Sequence, residues 1–204
     1  MGTSWSESQR AFTDATHWFV HTSARVGARW DRPGLGEWDV RSLVGHTSRA
    51  LLTLEMYLAR PAQTAMLRSA ADYFRAASAL ATGPEVAARG RDAGIALGVD
   101  PQSSLAAIAA RVVPLIQAKD GTELLTTLAG GMRLQDYLPT RTFELTVHTA
   151  DLARALGFPL DLPGTAAAEA LRIVSELAIR EGHAGAFLLA ATGRTGLPAG
   201  FTVL

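Results

Sequence analysis

The chain has no cysteine among its 204 residues. That excludes disulfides, thiolate-bound metals and a cysteine nucleophile from the polypeptide, so any thiol chemistry must arrive on a small molecule. Net charge is missing too: 19 basic residues balance 19 acidic ones. A neutral chain carries no electrostatic footprint for nucleic acid or an anionic membrane. Long apolar runs are absent, and no stretch approaches the roughly 20 residues that span a bilayer. The N-terminus, Met1-Gly-Thr-Ser-Trp-Ser-Glu-Ser8, lacks the basic and apolar blocks of a signal peptide. A soluble, cytoplasmic protein is expected. No nucleophile elbow, dinucleotide fingerprint or phosphate-cradling loop occurs, and Gly130-Gly131 lacks the flanking pattern of the last.

What is present is helical periodicity. With 48% hydrophobic residues, the chain suffices for one domain, residues 1–204, with a sizeable core. Apolar steps of three and four predict a first helix over about 6–29, on Phe12, Ala15, Phe19 and Val26, with Ser4 and Glu7 as a capping box. After a turn-rich loop from Trp30 to Trp38, Asp39 should cap a second helix to about Ala59, stopped by Pro61. Further helices are predicted over Thr64–Leu80, over the alanine-rich stretch Gly83–Val99, and from about Leu105 to Ala118. Ser103 or Ser104 should cap the last of these, and Pro114 should kink or end it. Leu124–Met132 reads as an ordered loop or short extended piece, and Pro139 should lie at or just before the start of the next helix. That helix should end at a left-handed Gly157. A long helix over Thr165–Arg180 and a short one over His183–Thr192 precede an irregular tail. With strand patterns nearly absent, no repeat and no linker, the fold class is all-α, a helix bundle with short extra helices in its connections.

One helix breaks the usual pattern. At 100° per residue, Arg141, Glu144, His148, Asp151 and Ala155 fall within about 80° of one another. Phe143 and Val147 flank them on one side, and Leu138, Leu145, Leu152 and Leu156 on the other. A polar stripe at the centre of an apolar face needs compensation, because burying charges alone costs several kcal/mol. Either a metal ion supplies it, or an ion network of Glu144 and Asp151 with Arg141 does. Glu144-x-x-x-His148 would leave a metal short of ligands, and bundle sites draw the remainder from facing helices. His46, on the flank of the second helix with Ala50, Thr53 and Tyr57, faces such a groove. A rival set, Asp14-x-x-His17-x-x-x-His21, has good chelating spacing but places both histidines on the solvent face. His183 follows Gly182 and reads as a helix-end residue. Trp5, Trp30 and Trp38 could serve a ligand, but indoles buried in loops are usually core plugs.

Leu35-Gly-Glu-Trp38-Asp-Val40-Arg-Ser-Leu43-Val-Gly-His46 resembles the first signature of the mycothiol-dependent maleylpyruvate isomerase family. Tyr137-Leu-x-x-Arg141-x-Phe-Glu144-x-x-x-His148-x-x-Asp151-Leu-Ala-x-Ala-Leu-Gly157 is similar to its second, and the tail from Thr192 to Gly-Phe-Thr-Val-Leu204 looks like its members. The resemblance implies a four-helix bundle of the DinB-like metalloenzyme superfold, with a divalent metal on His46, Glu144 and His148. Zinc is the expected ion, with nickel or iron as alternatives. It further implies mycothiol, a low-molecular-weight thiol of actinobacteria, as cosubstrate, activated as a metal-bound thiolate for S-transfer to, or isomerisation of, a small electrophile. Near-exclusive use of arginine, with Lys119 the single lysine, fits such a GC-rich source. Arg141 and Asp151 match the surrounding pattern, the first to hold a carboxylate of thiol or substrate, the second to orient His148. Members acting as isomerases carry a further C-terminal domain, for which 204 residues leave no space, so S-transfer is the safer expectation. A homodimer is expected by analogy within the superfold. The alternative function is a non-catalytic bundle that binds a metal or small ligand without turnover.

Overall fold

A computed structural model describes residues 3–78, 80 and 84–204. Its helices are α1 (Trp5–Ala24), α2 (Val40–Leu58), α3 (Ala70–Ser78), α4 (Pro84–Ala96), α5 (Pro101–Gln117), α6 (Leu134–Leu156), α7 (Gly164–Arg180) and α8 (Ala184–Ala191). Two small antiparallel hairpins interrupt them: β1 (Pro33–Leu35) with β2 (Trp38–Asp39), and β3 (Leu124–Thr127) with β4 (Gly130–Arg133). α1, α2, α5 and α6 form the four-helix core, with α1 and α2 each packed on both α5 and α6. α4 covers α2, and α7 covers α1 and α6. The fold is the all-α, DinB-like bundle that the periodicity and the resemblance predict. Among the described residues, no helix is long and apolar enough to cross a membrane.

Local chemistry sets most of the boundaries. The Ser4 hydroxyl accepts from the Glu7 amide while the Glu7 carboxylate accepts from the Ser4 amide, closing the expected capping box. Asp39 accepts from the Ser42 amide at 2.7 Å and starts α2 where its sequence predicts. Gly157 adopts φ +70° and terminates α6 as a left-handed cap. Phe12, Phe19, Leu43, Leu51, Leu54, Leu138, Leu145 and Leu152 are fully buried. Burying each such side chain contributes about 1.5–3 kcal/mol relative to exposure.

Several predicted boundaries differ. α1 ends at Ala24, short of 29, because Gly27 takes φ +62° and turns the chain; Val26 is buried nonetheless. α5 begins at Pro101, capped by Asp100, whose carboxylate accepts from Ser103; the serine is the donor there. Pro114 does not end α5, which runs on to Gln117, and it sits on the exposed face. α6 begins at Leu134, so Pro139 lies inside it.

The largest difference is at residues 61–69, which are irregular where a helix from Thr64 is expected. The β3–β4 hairpin captures this backbone: Ala62 donates to Leu124, and Met66 and Leu67 both donate to Gly131. Leu125 and Met132 carry the hairpin into the core. Ala79 and Gly83, included in the predicted third and fourth helices, lie outside the described residues.

Candidate metal centre

α2 and α6 face each other across the core, and the polar stripe of α6 meets the flank of α2. His46 arrives from α2, Glu144 and His148 from successive turns of α6. One ligand-capable atom from each lies within 4.8 Å of the other two, and no other such trio occurs among the described residues. The two imidazoles meet edge to face, with ring centroids 4.9 Å apart. Glu144 Oε2 lies 3.2 Å from His148 Nε2, and Asp151 Oδ2 lies 3.2 Å from His148 Nδ1. His148 is thus gripped along its own helix by carboxylates one turn to either side. The expected flanks hold: Phe143, Leu138, Leu145 and Leu152 are buried around the stripe.

Electrostatics divides the three groups. Burial pushes the His46 imidazole down to about 4, helped by the neighbouring His148 charge, so the ring is neutral with a free lone pair. For Glu144 burial favours protonation, but the His148 hydrogen bond and the charges of His148 and Arg141 outweigh it and hold the carboxyl at about 2. Burial likewise opposes the His148 charge, yet hydrogen bonds to Asp151 and Glu144 overcome it and lift the imidazole to about 9. Among the described residues His46 Nδ1 is buried without a hydrogen-bond partner. Such an unmatched buried nitrogen costs about 1–3 kcal/mol. A neutral imidazole, an ionised carboxylate and a second imidazole clamped by an aspartate form a donor set that fits a divalent ion.

Arg141 takes another role than the ion network its spacing allowed. Its guanidinium stacks over Tyr137 at 4.8 Å and Tyr73 at 5.3 Å, and its Nε donates to Thr140 Oγ1. Among the described residues it forms no ion pair with Glu144 or Asp151, which both engage His148 instead. It is only 7% exposed. Together with His46, Glu144, Tyr57, Tyr73 and Arg49 it lines a cleft of about 440 Å³. Ala50 and Thr53 line the same cleft, as their shared flank with His46 predicts.

The remaining candidates stand apart. His17 and His21 are exposed on α1, and Asp14 accepts a hydrogen bond from Thr165, so the rival trio does not converge. His183 precedes α8 and packs on Phe201. Trp5 closes the bundle base through a hydrogen bond to the Lys119 carbonyl, as a plug should. Trp38 packs against the core as a plug should, and its ring also lies 4.4 Å from His46. Sequence reasoning missed that contact, although the seven residues separating the two were visible within one motif.

The family model described as "Mycothiol maleylpyruvate isomerase N-terminal domain" matches residues 10–153. No curated protein and no solved structure matches. The matched span runs from α1 almost to the end of α6 and includes all three converging side chains. The chain therefore belongs to the mycothiol maleylpyruvate isomerase N-terminal domain family.

Proposed function

We propose that this protein is a divalent-metal-dependent enzyme that uses a low-molecular-weight thiol, mycothiol, to attack a small electrophile by S-transfer or isomerisation. The observation that carries this reading is the convergence of His46, Glu144 and His148, the first two of which line a cleft. They would hold the ion, zinc by preference of the donor set, while Asp151 keeps His148 in the tautomer that presents Nε2. An ion bound there supplies Lewis acidity that leaves a thiol ionised at neutral pH. The absence of cysteine from the chain is consistent with a thiol brought from outside. Arg141, buried over two tyrosines and facing the cleft, would hold a carboxylate of thiol or substrate. Tyr57, Tyr73 and Phe74 narrow the cleft and limit water around the reacting sulfur.

Two measurements test this. Elemental analysis of purified protein should find about one divalent ion per chain, and far less after His148→Ala or Glu144→Ala; unchanged content would sink the ligand assignment. Thermal melts of metal-loaded protein should then rise with mycothiol and much less with bacillithiol or glutathione. Thiol binding without turnover of haloarene or epoxide panels would favour a binding module over an enzyme.

A further inference from the structure

The two imidazoles of the centre are held in different ways. Each ring nitrogen of His148 faces a carboxylate oxygen at 3.2 Å. Metal-binding histidines usually have the nitrogen opposite the ion fixed in this manner, which sets the plane of the ring. Among the described residues the His46 Nδ1 is buried with no partner. What touches that ring is packing: the Trp38 indole at 4.4 Å, inclined by 32°, and the His148 edge at 4.9 Å.

Trp38 is itself pinned from behind. Its Nε1 donates to the Ala87 carbonyl of α4 at 3.0 Å. Its ring lies against Gly90, where an added Cβ would come within 2.5 Å of Cε2 and 2.6 Å of Nε1. α4 can approach this closely because it meets α2 backbone to backbone. A Cβ on Gly45 would sit 2.1 Å from the Gly94 amide nitrogen, and one on Gly94 2.8 Å from the Arg41 carbonyl oxygen. Gly45 immediately precedes His46, so the helix–helix contact and the ligand share one turn of α2.

We infer that Trp38 is a positioning residue for His46: α4, through Ala87 and Gly90, seats the indole against the imidazole, and that contact sets the plane of the ring for coordination. The inference rests on His46 being a metal ligand, as proposed above. The contact is a tilted aromatic one, backed by a glycine on a separate helix, on a ring whose Nδ1 has no hydrogen-bond partner among the described residues.

The test compares Trp38→Phe, Trp38→Leu and Gly90→Ala by Co²⁺ affinity in chelator competition and by the visible absorption of the Co²⁺-loaded protein. Trp38→Leu and Gly90→Ala should weaken Co²⁺ binding by about 10–100-fold, the loss typical of disturbed ligand support, and alter the absorption bands. Trp38→Phe, which keeps a flat aromatic face, should recover most of the affinity and the wild-type bands. Wild-type affinity and spectrum in Trp38→Leu or Gly90→Ala would overturn the inference. Should circular dichroism show these variants unfolded, the metal-free wild type decides. Carbon-13 relaxation should find the His46 ring as ordered as that of His148, and a freely reorienting His46 ring overturns the inference. A wild type that takes up no divalent ion defeats the functional proposal instead, so the two failures are separable.

Discussion

Neighbouring imidazoles shifted in opposite directions give the centre a proton ledger that can be measured. Without metal, His148 keeps its proton to about pH 9 and His46 loses its own near pH 4. An entering ion must displace the His148 proton, so affinity should climb about tenfold per pH unit up to about 9 and then level off. Calorimetry in buffers of different ionisation enthalpy should register about one proton released; uptake indifferent to pH would remove His148 from the ligand set. Stability of the metal-free protein follows from the same shifts. The His148 value is raised, so its contribution is full below 6.5 and is lost as pH rises through about 9. The His46 value is depressed, so its contribution is full above 6.5 and is lost as pH falls through about 4. That of Glu144 is full above 4.5 and is lost towards about 2. The metal-free melting temperature should therefore peak near pH 6.5 and decline on both sides, whereas metal-loaded protein should not share the alkaline decline. Asp151→Ala, which frees His148 Nδ1, should weaken metal binding by about 10–100-fold in the same competition assay.

At the scale of elements, legibility followed how local the deciding interaction was. The Ser4 and Asp39 caps and the Gly157 stop act within a few residues, and the sequence showed all three. The phase of α6 was legible too, because a polar stripe between two apolar flanks is itself a pattern. The irregular run through Thr64 was not, since its backbone partners come from the hairpin at 124–133. Gly131 makes that pairing feasible: an added Cβ would lie 2.1 Å from the Thr64 carbonyl oxygen. Gly131→Ala should cost about 1–3 kcal/mol, read as a lower denaturation midpoint, because backbone must move to admit the methyl. Gly164→Ala, at the start of α7 with open space around the new carbon, should instead stabilise by about 0.4–1 kcal/mol. Equal effects at the two sites would contradict the close approach. α4 is the instructive case. Its alanines, glycines and arginines carry little periodicity, and the use of Gly90 and Gly94 becomes visible only once Trp38 and Arg41 stand beside them.

For the molecule as a whole, the centre joins α2 to α6 across the bundle, so an ion that binds the folded chain alone links metal occupancy to global stability. At a hundredfold excess over its dissociation constant it should add about 2.7 kcal/mol. For a chain of this length that is a rise of roughly 5–10 °C in melting temperature. Chelator treatment should reverse the rise, and the Glu144→Ala variant should melt at one temperature with or without metal. Coincidence of the wild-type curves would mean that no ion binds the folded chain.

The sequence by itself determined the helical class, most of the helix ends, the polar stripe of α6 between apolar flanks and, through its two signatures, the family and its expected ligands. These depend on periodicity, caps and short motifs, which are encoded by neighbours in the chain. Only the tertiary structure decided that His46 meets Glu144 and His148, that Arg141 stacks on tyrosines instead of pairing with carboxylates, and that Trp38 rests on His46 with α4 behind it. Those facts depend on the crossing of α2, α4 and α6. Helix packing brings together residues nearly a hundred positions apart, and nothing in either segment alone records how closely the other will approach.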